Sequence, residues 1–104
     1  MALPSGNIEQ LLPDESISLT KAETLSLIIP QITTANISIK LPYWDVPKSY
    51  WAQPFIRTAY SLKLISESNQ FYPDQPMTKA ELTAILAKLP HIKTQLKKTF
   101  KTDL

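Results

Sequence analysis

Two identical helix-start signals constrain this chain more than anything else in it. Thr20-Lys21-Ala22-Glu23 and Thr78-Lys79-Ala80-Glu81 spell the same four residues 58 positions apart. Each follows a Pro-Asp pair, and each leads into an aliphatic run closed by a proline, Pro30 or Pro90. Thr-x-x-Glu ahead of an apolar run is a capping box. The threonine hydroxyl accepts from the glutamate N–H, and the glutamate carboxylate reaches back to the threonine N–H. Behind the second box Leu82, Ile85, Leu86 and Leu89 fall on one helical face; behind the first, Ala22, Leu25, Ile28 and Ile29 do the same. The repeated unit therefore reads as turn, capped helix, stop. The copies are not identical: five residues separate Pro-Asp from the box in the first, three in the second.

Between the copies a further helix is expected, starting near Tyr50 or Trp51 and ending near Leu64. Trp51, Phe55, Ala59 and Leu62 would form its inner stripe with Ile56 beside it, while Gln53 and Arg57 face away. Trp51 is thus expected in the core. Pro54 fits only in the first turn, where a missing N–H costs little. Residues 31–42 are rich in β-branched side chains and read as an extended linker with a short strand. Residues 90–104 place Ile92, Leu96, Phe100 and Leu104 at steps of four, an amphipathic helix with a lysine-rich outer face.

Composition narrows the function classes. The 104 residues make one modest domain. With no cysteine, a disulfide scaffold and the usual zinc clusters are excluded, and the lone His91 has no metal-ligand partner. The net charge of +2 resides in the tail, where four lysines face one aspartate; no nucleic-acid module surrounds them. No apolar run approaches the ~20 residues of a membrane span. The opening residues, MALPSGN, do not read as a signal peptide. Nor is there an acid–base pair, an activated serine or a phosphate-cradling glycine loop, so neither catalysis nor a cofactor is expected. One glycine among 104 residues leaves left-handed backbone positions to residues such as Asn7, Asn69 and Asp74.

Tyr43-Trp44-Asp45-Val46-Pro47, Trp51-Ala52, Phe55-Ile56, Ala59, Leu64-Ile65, Phe71, Pro73-Asp74 and Thr78-Lys79-Ala80-Glu81 together resemble one complete S-layer homology motif. The resemblance spans residues 43–89, and residues 1–30 resemble the second half of a preceding repeat. It implies an all-α fold of tandem helical hairpins around a pseudo-symmetric axis, with the 31–42 linker and with 90–104 as a basic helix or the start of a further repeat. It also implies non-covalent anchoring in the bacterial cell envelope by binding anionic, pyruvylated secondary cell-wall polysaccharide. By that resemblance Lys79 and Lys21 stand where the family's arginine meets the acidic sugar. A helix N-terminus favours an anion there, and lysine adds a point charge without arginine's fork.

Two further side chains complete the candidate site. Trp44, outside the helical stripe, is a flat apolar surface on which a sugar can stack. Asp45 is a turn residue whose carboxylate satisfies backbone N–H groups or contacts ligand. The sequence departs from the family's pattern where Lys63 and Glu67 replace glycines. These departures support a rival reading, a helical scaffold that packs against another protein domain, other repeats or itself without binding glycan.

Overall fold

A computed structural model describes residues 11–35 and 37–89. The expected helix over 90–104 and Asn7 lie outside the described residues. The rest divides into two units, one holding residues 11–20 and 76–89, the other residues 21–75.

The first unit is built on a two-stranded antiparallel sheet. Strand β1 is Ser16–Thr20 and strand β2 is Pro76–Thr78. Ser16 lies opposite Thr78 and Thr20 opposite Pro76, so β1 spends four steps where β2 spends two. The surplus residues form a bulge, with Ser18 in the left-handed region at φ 67°. They match the two extra residues between Pro-Asp and the capping box in the first copy. Ile17, Leu19 and Met77 point inward, as strand alternation requires.

Helix α3, Lys79–Ala87 (α1 and α2 lie in the second unit), follows β2 through the anticipated capping box. Glu81 N–H donates to Thr78 Oγ1 at 3.1 Å, and Thr78 N–H donates to Glu81 Oε1 at 3.2 Å. The next orphan donors find carbonyls in the first Pro-Asp turn: Lys79 N–H reaches Glu15 O and Ala80 N–H reaches Pro13 O, both at 2.9 Å. Leu82, Ile85, Leu86 and Leu89 are buried, as their spacing predicts.

This sheet corrects the all-α expectation. Among the described residues the structure is mixed: three short α-helices and an antiparallel strand pair. Pro76–Thr78 is too short to signal a strand locally, whereas Ser16–Thr20 alternates polar and apolar residues, a strand signal outside the helix-start reading. Their pairing joins segments about 58 positions apart, which helix periodicity does not reveal.

The second unit contains helices α1 (Lys21–Ile28) and α2 (Gln53–Ser61), packed on each other. A 3₁₀ turn at Ile29–Gln31, with Pro30 in it, ends α1. The first N–H groups of α1 repeat the arrangement of α3: Lys21 N–H donates to Gln75 O at 2.8 Å and Ala22 N–H to Pro73 O at 3.0 Å. Each Pro-Asp turn is thus a carbonyl cap for the helix of the other copy. The core gathers Ala22, Leu25, Ile28, Tyr43, Val46, Ile56, Ala59 and Phe71 among others. No strand forms among the described residues of 31–42.

Helix α2 begins at Gln53, later than expected, and its buried face is shifted. Ala52, Ile56 and Ala59 are fully buried, and Gln53 is only 7 % exposed. Trp51, placed in the core by sequence, is 56 % exposed, and Leu62 is also exposed. The inner stripe lies one residue, about 100° of helix, away from the one read from Trp51.

The end of α2 is a Schellman motif: Leu64 N–H reaches back to Ala59 O at 2.9 Å and Lys63 N–H to Tyr60 O at 3.0 Å. Lys63 occupies its left-handed position at φ 61°, where the family's pattern has glycine. Glu67, the other lost glycine, has no positive φ. Nor do Asn69 and Asp74; among the described residues the left-handed non-glycine positions fall instead on Ser18, Lys63 and Tyr72. A side chain in this region costs about 1 kcal/mol. Lys63→Gly is therefore expected to raise unfolding free energy by up to about 1 kcal/mol, less the entropy glycine adds to the unfolded chain. Urea melts would check it; an unchanged or lowered midpoint would mean the position carries no strain.

Candidate functional site

The candidate site is organised by residues 71–75, which run through the Pro-Asp turn of the second copy. Asp45 fixes their entry. Its Oδ1 accepts from Phe71 N–H at 2.9 Å and its Oδ2 from Tyr72 N–H at 2.8 Å. The carboxylate thereby holds Tyr72 at φ 58°, an uncommon geometry for a bulky residue, immediately before Pro73. Tyr72 O–H donates to Gln70 Oε1 at 2.8 Å, steadying the ring.

Lys21, in the first turn of α1, extends over this segment. Its Nζ lies 5.7 Å from the Phe71 ring centroid and 6.0 Å from that of Tyr72, within cation–π range. Beside it is a cleft of about 330 Å³ lined by Asp45, Tyr50, Tyr72, Pro73, Asp74 and Gln75. Tyr50 O–H donates to Asp74 Oδ1 at 3.0 Å. Burial and the hydrogen bond to Asp74 push the Tyr50 phenol above its ordinary value. The exposed Trp51 ring sits 6.0 Å from that of Tyr50. Aromatic faces and two carboxylates thus line a small concave surface suited to a hydroxylated ligand, with the Lys21 ammonium over the Tyr72 ring.

Tyr43 supports the same region from the core. Its O–H donates to Ser66 O, and its ring packs on Phe71 and Tyr60 at 5.3 and 5.8 Å. Burial foremost, then the nearby Tyr60, Glu67 and Asp45, pushes the Tyr43 phenol up to about 12.

The structure brings Lys21 and Asp45 together through Phe71 and Tyr72. Trp44 neighbours Asp45 in sequence but opens onto a different, wider groove, where it is 70 % exposed. Lys79 belongs to the other unit, in the first turn of α3. The backbone N–H groups of Lys21 and Lys79 already donate to turn carbonyls. An anion at either lysine would meet the side-chain ammonium, with those donors occupied. Sequence reasoning missed Tyr50 and Tyr72 as cleft residues and the exposed Trp51 ring beside Tyr50. Trp51 was counted into a helix that starts two residues later, and Tyr72 carries no local mark of its left-handed backbone.

Among the described residues no cluster of His, Cys, Asp or Glu has metal-holding geometry, and no helix is long and apolar enough to cross a membrane. Residues 42–83 match the family model of the S-layer homology domain. This segment belongs to that family. Comparison with curated proteins and with solved structures returns no match. The matched segment contains Trp44, Asp45, the residues lining the Tyr50–Tyr72 cleft and Lys79. S-layer homology domains are, in general, non-catalytic modules that associate proteins with the cell surface through wall polymers.

Proposed function

We propose that this chain anchors a protein in the bacterial cell envelope by binding an anionic, pyruvylated secondary cell-wall polysaccharide. The observation that carries the reading is the Lys21 ammonium above Phe71 and Tyr72, beside a cleft walled by Tyr50 and Tyr72. In this reading Lys21 meets the acid group of the sugar, and the tyrosine and Trp51 faces take its apolar surface. Asp45 contributes by holding Tyr72 in place. Lys79, which occupies the same place in the second copy, meets an acid group at its own helix start.

Co-sedimentation with purified cell-wall sacculi tests this. The chain should pellet with native sacculi, lose most binding when the secondary polysaccharide is stripped, and weaken as salt screens the ion pair. A Lys21→Ala/Lys79→Ala variant with unchanged circular dichroism should bind about tenfold more weakly or worse, since each charged contact is worth about 1.5–3 kcal/mol. Pelleting that survives stripping, or a double variant that binds as well as the parent, would overturn the reading.

A second reading, a protein-docking scaffold, draws on an apolar cleft of about 270 Å³ lined by Ile29, Pro30, Ala35, Pro54 and Phe55 among others. The tail residues Leu96 and Phe100, its other proposed contacts, lie outside the described residues.

A further inference from the structure

A groove of about 700 Å³ runs between residues 38–41, the Tyr43–Lys48 turn and one side of α2. Lys40, Lys48 and Arg57 line it, and no acidic side chain does. Lys40 and Lys48 are exposed and make no ion pair with any described residue. Asp45, the acid within the turn, lines the other cleft and has both carboxylate oxygens on the Phe71 and Tyr72 N–H groups. Trp44 lines the groove with 70 % of its surface open, as do the aliphatic Ile39 and Leu41. Its N–H donates to Asn69 O at 3.0 Å, which ties down the backbone that carries the ring. The groove therefore combines positive charge with apolar area. It suits a partner segment that offers acids beside an aliphatic side chain.

This chain has such a segment. Asp14-Glu15 is the one adjacent acidic pair in its sequence. It lies in the first Pro-Asp turn, where Leu12, Pro13, Asp14 and Glu15 are all exposed, Leu12 by 62 %. The turn is internally braced. Glu15 N–H donates to Leu12 O at 3.0 Å, Leu12 N–H to Glu15 Oε1 at 3.2 Å, and Ala80 N–H to Pro13 O at 2.9 Å. Asp14 makes no ion pair with any described residue. Other carboxylates are engaged locally: Asp74 accepts from Tyr50 O–H, Glu67 from Tyr60, and Glu81 closes its capping box. A turn already held in shape loses little conformational freedom on docking.

We propose that the groove of one copy receives the Leu12–Glu15 turn of a second copy. Leu12 lies against Trp44 and Leu41, and the Asp14 and Glu15 carboxylates meet the Lys40 and Lys48 ammonium groups. The two surfaces are unlike, so the contact is heterologous: a copy can offer its groove to one neighbour and its turn to another. The contact does not depend on the Lys21 cleft binding anything.

Sedimentation velocity of the full chain from about 10 µM to about 1 mM, the weak range of specific association, tests this. The sedimentation coefficient should rise with concentration and fall back as salt screens the charges. Lys40→Glu/Lys48→Glu and Asp14→Lys/Glu15→Lys should each weaken self-association by about tenfold or more, the scale of one or two charged contacts. Mixing these two variants should restore association, because each finds an oppositely charged surface on the other. Leu12→Ser and Trp44→Ala, which leave the net charge unchanged, should weaken it as well. A chain that stays monomeric at about 1 mM would overturn the proposal and leave the groove to a different partner. So would a mixture that stays monomeric although both variants keep the parent's circular dichroism, or association undiminished by Leu12→Ser and Trp44→Ala.

Discussion

Asp45→Ala should lower unfolding free energy by about 3 kcal/mol or more, an effect large for a single turn residue. Its carboxylate accepts two backbone N–H bonds, from Phe71 and Tyr72. Hydrogen bonds to a charged partner contribute about 1.5–3 kcal/mol each, and Phe71 is buried, so its donor would lose its partner in a region water reaches poorly. The second bond holds Tyr72 in a left-handed geometry that is itself unfavourable. For a chain of this size the melting temperature should fall by more than about 10 °C. Asp45→Asn, which keeps one acceptor oxygen, should lose roughly half as much. Thermal melts of both variants decide the matter. The outcome also separates two roles: a carboxylate that serves mainly as a ligand contact would lose polysaccharide binding in the alanine variant with stability nearly unchanged.

That prediction depends on a contact spanning 26 and 27 residues, which marks where the sequence ceased to be legible. The helix starts were readable because a capping box is a four-residue device and its apolar run has a local period. α3 follows both signals, with its box formed and Leu82, Ile85, Leu86 and Leu89 buried. Only half of the strand pair was readable, because Ser16–Thr20 alternates polar and apolar residues but its partner is three residues long. Nothing within Pro76-Met77-Thr78 distinguishes a strand from a turn until Ser16–Thr20 lies beside it. The phase of α2 failed for a more instructive reason. A tryptophan beside an alanine suggested a core anchor, but the helix begins at Gln53, and Ala52, Ile56 and Ala59 set the inner face. A one-residue shift of the inner stripe turned Trp51 from core to surface and Gln53 from surface to interior.

The site divides along the same line. Lys21 was legible because it is part of a repeated signal. The clamp that Asp45 makes, the tyrosine walls of the cleft and the inward turn of Gln53 arise only when residues 43–57 and 66–75 fold together. Lys63 is a middle case. Its departure from glycine was visible in the sequence, but only the φ of 61° shows that the position still has glycine's geometry.

The repeat itself supplies the second large effect, because equal letters did not produce equal burial. Aligned on the capping boxes, Leu27 of α1 corresponds to Ile85 of α3. Leu27 is 42 % exposed, whereas Ile85 is 3 % exposed. Ile85→Ala should therefore cost about 2–5 kcal/mol, the range for removing a buried aliphatic side chain and leaving a cavity. Leu27→Ala should cost less than about 1 kcal/mol, since much of its surface already meets water and alanine is the better helix former. In the same alignment Thr24 and Leu82 are both buried, as are Ile28 and Leu86, so the helices share two inner positions while presenting different neighbours around them. Paired urea denaturations of the two variants measure the asymmetry. Equal losses would mean that the two helices are energetically equivalent copies and that the exposed face of Leu27 is covered in solution. A difference of about 2 kcal/mol or more would mean that duplication supplied two helix starts, while each unit selected its own buried face.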